Sequence, residues 1–422
     1  MNTGPEWLTQ GLEHIWLPYT QMATDPKPAA VARTQDASIY LEDGSRLIDG
    51  VGSWWTSVHG YNNTALKDAL IKQLNVMPHV MLGGLAHESA YKLAVKLAEI
   101  TPGDLTRSFF CESGSVAVEV AMKIAVQYWR NTKGQVRPKF ISFKGGYHGD
   151  TLATMSICDP EEGMHALFGP ALPKQIVIDL PRDEDSIFIL NDILASRTDI
   201  AGVIVEPLIQ GAGGMCMHPP EVLRQLRSAC DTHGSLLIFD EIFTGFYRTG
   251  NMFAADTAGI TPDIMTIGKA LTGGVTPLAA AIASSRVYDA FHDDDAEKAL
   301  MHGPTFTGHA LACAVALESI KLLEKNNTQN TTRTITQTLT RRLTPLAQEE
   351  HVQDVRVLGA VAAVELKHDF SVADARARFI DMGVFIRPLG RVIYLTPTYT
   401  ITDEELNMLC DAIEKMVSEL KP

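Results

Sequence analysis

LLIFDEIFTGFYRTG (Leu236–Gly250) and, after a short gap, PDIMTIGKALTGG (Pro262–Gly274) decide the reading of this chain. Leu236–Phe239 and Ile264–Ile267 are short apolar runs, the pattern of strands buried on both faces. The first closes on an acid, Asp240. The second closes on Gly268-Lys269, with Gly273-Gly274 just beyond. In a parallel sheet covered by helices, ligands bind past the carboxyl ends of the strands. One crevice therefore receives an acid and an amine. A lysine amine forms a Schiff base with an aldehyde, and a carboxylate holds a ring nitrogen protonated so that the ring takes up electrons. Lys269 and Asp240 are read as that pair. Taken singly, a structural lysine and a helix-capping aspartate are the plainer reading.

Outward from this stretch the chain alternates strand and helix. Leu66, Leu70 and Leu74 recur at helical spacing, as do Leu93, Leu97 and Ile100. Strands are expected at Arg107–Cys111, Lys139–Phe143, Gln175–Leu180, Ile200–Val205 and Leu278–Ala283, and helices at Val116–Arg130 and Pro219–His233. That rhythm predicts an α/β fold with a mainly parallel sheet and helices on both faces. Before it, Ser38–Leu41 and Arg46–Ile48 flank Glu42-Asp43-Gly44-Ser45 and predict a hairpin. A glycine-rich loop, Asp49–Trp55, follows. After Gly308 the pattern changes to long helices at Gly308–Lys325 and Thr331–Gln348, with a polar linker at Asn326–Thr332. Then come strands at Val352–Leu358, Val361–Leu366, Val384–Arg387 and Val392–Leu395, and helices at Ala373–Met382 and Asp403–Leu420. This part reads as a smaller α+β domain. The expected division is an N-terminal segment 1–55 packing with the small domain, a large domain 56–318 and a small domain 319–422.

The 422 residues carry a formal net charge of −14, which argues against a nucleic-acid surface or an anionic membrane partner. The six cysteines include no C-x-x-C pair and read as reduced thiols. The opening MNTGPEWLTQGLEHIW lacks a basic-then-apolar pattern, and no apolar run reaches the roughly 18 residues that span a bilayer. A cytoplasmic location is expected, and no metal ligand set is assigned.

Further motifs converge on the same crevice. Glu112-Ser113-Gly114-Ser115 stands between a strand and a helix, where N–H groups and a hydroxyl suit a phosphate; a simple N-cap is the alternative. Gly145-Gly146-Tyr147-His148-Gly149-Asp150 follows another strand, and its aromatic ring suits stacking on a flat pyridine. Glu206-Pro207 ends a third strand. Glu206 is expected to orient Asp240 or a ring hydroxyl. Lys269 must act as a neutral amine near pH 7, so its pKa must lie well below the roughly 10.4 of free lysine. Thr305, in His302–Gly308, suits a phosphate, and Arg387, before Pro388, suits a carboxylate, with Arg391 the competitor; taken singly, a helix-start turn and a surface arginine are the plainer reading.

These motifs resemble the class-III aminotransferases of fold type I: apolar strand, Asp-Glu, Gly-Phe-x-Arg-Thr-Gly, and a Gly-Lys before Gly-Gly. The resemblance implies pyridoxal 5'-phosphate as cofactor. It implies that Gly114, Ser115, Pro304 and Thr305 serve its phosphate, Thr305 from the neighbouring subunit of a homodimer. Tyr147, His148 and Ile242 would flank the ring, with Glu206, Asp240 and Lys269 completing the cofactor site. Phe243 stands where relatives often carry Gln, and Glu112 where they often carry a smaller residue.

His14–Thr20, Ser53-Trp54-Trp55 and Met301–Phe306 resemble the biotin-synthesis branch of the family over almost the whole chain. That branch transfers the amino group of S-adenosyl-L-methionine to 8-amino-7-oxononanoate. The resemblance implies a substrate site of Tyr19, Trp54, Trp55, Tyr147, Asp150, Arg248, Gly303 and Arg387. Another donor, lysine or an ω-amino acid, is the nearest alternative within the class. A mutase or decarboxylase on the same scaffold, and a binding protein with a vestigial site, are the alternatives from other classes.

Overall fold

The structure, a computed structural model, describes residues 4–160 and 166–419. Residues 1–3 of the opening stretch and Leu420, the expected end of the last helix, lie outside them. Near the N-terminus the chain forms strands Val31–Gln35 (β1), Ser38–Leu41 (β2) and Arg46–Asp49 (β3). β2 and β3 make the expected antiparallel hairpin, with Ile39 opposite Leu47.

The alternating region supplies Leu105–Cys111 (β4), Lys139–Phe143 (β5), Ile176–Ile178 (β6) and Ile200–Val205 (β7). A small hairpin of Ile209–Gln210 (β8) and Cys216–Met217 (β9) follows. Then come Leu236–Asp240 (β10), Ile264–Ile267 (β11) and Ala279–Ser284 (β12). Among the described residues seven of these strands form one sheet in the order β4-β12-β11-β10-β7-β5-β6. The pairs β11–β10, β10–β7, β7–β5 and β5–β6 are parallel. β12 runs antiparallel to both neighbours. Between β11 and β12 there is only a one-turn 3₁₀ segment, Lys269–Thr272, and no crossover helix, so the chain returns in the opposite sense.

Side-chain alternation along β10 explains why the sheet is covered on both sides. Leu236 and Ile238 enter a core shared with Ala117, Val120 and Ile124 of the helix Gly114–Lys133. Leu237 and Phe239 enter a second core with Leu93, Leu97, Val222 and Leu226. Every residue of β7, β10, β11 and β12 is buried, as near-continuous apolar runs require.

The C-terminal part holds an antiparallel sheet of Val352–Leu358 (β13), Val361–Leu366 (β14) and Val392–Leu395 (β16). Val384–Phe385 (β15) joins the N-terminal hairpin instead, pairing parallel with β3 through Val384 and Ile48. The first fifty residues thus share a sheet with the last forty.

Two expectations change. The polar stretch Asn326–Thr332 is not a linker, because a helix, Thr328–Leu343, begins inside it. Asn327, at φ 50°, makes the turn. The Thr328 and Thr332 hydroxyls donate to the Leu323 and Thr328 carbonyls at 2.8 and 3.1 Å, so the threonines are satisfied within the helices. The strand expected over Val384–Arg387 stops at Phe385, since Pro388 restricts Arg387 and has no N–H to pair.

Candidate active site

The carboxyl ends of β10 and β11 deliver Asp240 and Lys269 to one edge of the sheet, in a register that sets Asp240 beside Thr266. The loop after β5 and the helix start after β4 reach the same edge. Together they enclose a cavity of about 200 Å³ lined by Trp55, Gly114, Ser115, Tyr147, His148, Gly149, Glu206, Asp240, Ile242, Phe243 and Lys269. A larger cavity of about 880 Å³ exists elsewhere, but its walls are mainly apolar and include neither Lys269 nor Asp240. The acid and the amine meet in the smaller one.

Lys269 keeps part of its surface open to the cavity, yet burial of its amine holds the pKa below the ordinary lysine value. The charges of Asp240, Glu206 and Asp150 oppose that shift. Its Nζ lies 4.7 Å from the centroid of the Trp55 ring. Its backbone sits at φ 44°, a left-handed conformation that costs a side-chain-bearing residue about 1–2 kcal/mol. Glycine would meet this backbone demand without strain.

Asp240 is buried and held from three sides. His148 Nδ1 lies 2.8 Å from one carboxylate oxygen, and with the acid ionised the ring nitrogen is the donor. The Thr266 hydroxyl and the Ile242 N–H donate to the other oxygen at 3.1 and 3.2 Å. His148 is thus the partner of Asp240, and Thr266 is a support that sequence reading missed. Glu206 does not bond Asp240. It accepts from the Tyr147 and Gly211 N–H groups at 2.8 and 3.0 Å, tying two loops together, and burial pushes its carboxyl up to about 7.

At the helix start, Ser113 is the N-cap and accepts from the Val116 N–H at 3.3 Å. That leaves Gly114 and Ser115 as first-turn residues whose N–H groups have no intrahelical partner by position. Two glycines make room. A Cβ on Gly114 would come within 3.0 Å of Ile242, and one on Gly149, at φ 131°, within 2.3 Å of Ser115 Oγ. The Ser115 Oγ accepts from the Asp150 N–H at 3.1 Å.

Beside the cavity the Tyr19 hydroxyl donates to Asp150 Oδ1 at 2.6 Å, and burial with this bond pushes Tyr19 up to about 12. Tyr147, also bonded within this group, is raised further, mainly by burial. Trp54 does not line the cavity. It stands edge-on to Tyr19, ring centres 6.4 Å apart, with the Arg387 guanidinium 5.4 Å from its ring. Arg391 is engaged elsewhere, 3.7 Å from Glu365. Arg248 is buried and does not line the cavity either: it donates to the Ala360 and Pro397 carbonyls at 3.2 and 2.9 Å and lies 5.0 Å from the Tyr399 ring. Gly303, Pro304 and Thr305 also stand apart, and Gly303 borders a separate cavity with Phe109 and Phe110. Phe243, noted in the sequence only as a departure, packs 4.2 Å from Trp55 and forms part of the wall.

This is a cradle for a flat, anion-bearing group: hydroxyl and N–H donors at one side, an acid fixed at another, an amine between aromatic walls. Residues 19–417 match the aminotransferase class-III family. The chain is 41% identical, over 96% of its length and 95% of the relative's, to the adenosylmethionine-8-amino-7-oxononanoate aminotransferase of Buchnera aphidicola subsp. Schizaphis graminum. The crystal structure of the enzyme of the same name from Methanocaldococcus jannaschii superposes with a TM-score of 0.93, at 33% identity, over 97% of this chain and 98% of that one. An amine transaminase from an uncultivated Pseudomonas species, solved in its PLP-bound form, follows at a TM-score of 0.89 and 31% identity, covering 97% and 99%.

Proposed function

The chain belongs to the class-III aminotransferase family, and from that premise we propose that it transfers the amino group of S-adenosyl-L-methionine to 8-amino-7-oxononanoate, giving 7,8-diaminononanoate, with pyridoxal 5'-phosphate as cofactor. The carrying observation is the meeting of a desolvated lysine amine and a triply held aspartate in one cavity.

The residues fit the cofactor. The first-turn donors of Gly114 and Ser115 and the Ser115 hydroxyl, all on the cavity wall, suit its phosphate. Asp240 suits the ring nitrogen, Tyr147 and Ile242 the ring, with Glu206 bracing the Tyr147 loop and His148 bracing Asp240. When bound, the group supplies a carbonyl that condenses with amines and a ring that takes up electrons. Lys269 supplies the amine that holds it and, once free, moves a proton at its own Nζ. Its lowered pKa keeps a larger neutral fraction available for both tasks. Asp240 keeps a negative charge fixed where the ring nitrogen needs it. Trp55, backed by Phe243, covers one side of the Lys269 amine and limits water there.

For the substrates, Arg387 offers a guanidinium fork to a carboxylate, which both carry, and Tyr19 and Trp54 offer an aromatic platform to an adenine. Tyr147 and Asp150 join that wall. Arg248, buried behind other groups, is assigned to the substrate site by resemblance alone. Thr305, Pro304 and Gly303 are assigned to the neighbouring subunit's site in a homodimer. In support, Tyr91, Val95, Met301 and Phe306 are exposed apolar residues on the side of the chain that carries this segment. The segment 1–55, the large domain 56–318 and the small domain 319–422 would be its working units. Among the described residues no helix is long and apolar enough to cross a membrane. We place the enzyme in the cytoplasm.

Adding S-adenosyl-L-methionine alone to the cofactor-loaded protein tests the donor. The long-wavelength absorption should disappear and an equivalent of the matching 2-oxo acid should form. Bleaching by lysine or an ω-amino acid, with none by S-adenosyl-L-methionine, would replace the donor.

A further inference from the structure

We propose that Asp49 is a positioning residue for the substrate pocket: it holds a left-handed turn, Gly52–Trp55, that sets Trp54 and Trp55 against the two ends of the site. The inference rests on the proposed aminotransferase reading and concerns a residue that does not line the cavity.

Four consecutive residues, Gly52, Ser53, Trp54 and Trp55, have φ values of 61°, 47°, 50° and 75°. Three of them carry side chains in a region that glycine alone enters freely. Such a run persists only where the surroundings over-determine it. Asp49 supplies that restraint. One carboxylate oxygen accepts from the Val51 and Gly52 N–H groups at 2.8 and 3.0 Å, and the other from the Ser53 N–H at 3.3 Å. The Tyr61 hydroxyl donates to the second oxygen at 2.6 Å and lies 2.6 Å from the Ser53 hydroxyl. From the opposite side the Thr396 N–H and hydroxyl donate to the Gly50 and Val51 carbonyls at 2.7 and 3.0 Å.

Asp49 is buried, and among the described residues it forms no ion pair. A buried carboxylate without a counter-ion is an expensive way to hold a turn, and an ordinary turn residue would suffice for that. The cost is explained by what the turn carries. Trp55 faces Lys269, and Trp54 faces Tyr19 and Arg387. Relaxing the turn to ordinary backbone angles would move both indoles together, so one acid governs the wall at the amine and the wall at the carboxylate-binding end.

The test uses the full-length, cofactor-loaded protein and Asp49→Ala. KM for both carboxylate substrates should rise about tenfold, with kcat changed less than about threefold. In the cofactor-free protein the near-ultraviolet circular dichroism of the indoles should weaken. Asp49→Asn keeps an acceptor for Val51 and Gly52 and should hold KM within about threefold of the parent. Parent-like KM values and indole signal in folded Asp49→Ala, or a loss confined to kcat, would overturn the proposal. If Asp49→Ala does not fold, Tyr61→Phe should raise KM about threefold, and no change there would overturn it equally. Turnover by the parent tests the aminotransferase reading, and the indole signal reads the turn even if that reading fails.

Discussion

Lys269→Ala should lower turnover by at least about four orders of magnitude while the chain stays folded and still takes up the cofactor. Two functions leave with one amine. The group that grips the cofactor carbonyl is lost, and so is the base that relays the proton. Positioned proton transfer alone is worth about 10²–10⁴ in rate, and the covalent role adds to it. The fold has little reason to suffer. Alanine accepts the φ of 44° no worse than lysine, and a desolvated amine is removed from a site that disfavours its charge. Gly114, Ser115 and Asp240 remain to bind. Steady-state and single-turnover assays check it, with thermal melting as the control for folding. Residual activity within tenfold of the parent would assign the chemistry to another group.

Asp240→Asn should cost turnover about 10²–10⁴, because removing one partner of a buried charge pair is worth about 3–5 kcal/mol and each 1.36 kcal/mol is tenfold. The substitution isolates charge from shape. Asparagine keeps an oxygen for the Thr266 hydroxyl and the Ile242 N–H, and its amide can donate to the His148 ring nitrogen in the other tautomer. Melting temperature should therefore shift little. What is lost is the negative charge that keeps a ring nitrogen protonated. His148→Gln should move activity the same way by a smaller factor, since it removes the ring nitrogen that holds Asp240 and leaves the acid itself in place.

The crevice was legible because local pattern decides it. Apolar strands ending in Asp240 and Gly268-Lys269, and a strand-to-helix turn at Gly114-Ser115, lie at the carboxyl edge of any parallel sheet whatever the exact packing. The hairpin at Ser38–Asp49 and the helix Pro220–His233 follow from turn chemistry and periodicity in the same way. Pairings across the fold were not legible. His148 and Asp240 are far apart in sequence, and nothing in Gly-Tyr-His-Gly says which acid the imidazole meets. Glu206 could as well have faced Asp240 as the two N–H groups it accepts from. β12 turned antiparallel because its connection is short, a fact of chain length more than of its apolar composition. The left-handed run at Ser53-Trp54-Trp55 was hidden most completely, since no propensity scale places two tryptophans there. Asp49, Tyr61 and Thr396, closing on it in three dimensions, hold it in place.

The central claim is that one amine, that of Lys269, grips a pyridine aldehyde opposite Asp240. Borohydride reduction of the cofactor-loaded protein, followed by peptide mapping, reads it directly. A single pyridoxyl-bearing peptide, modified at Lys269, is the predicted result. A label fixed on any other lysine, or no label on a protein that holds the cofactor, would contradict it.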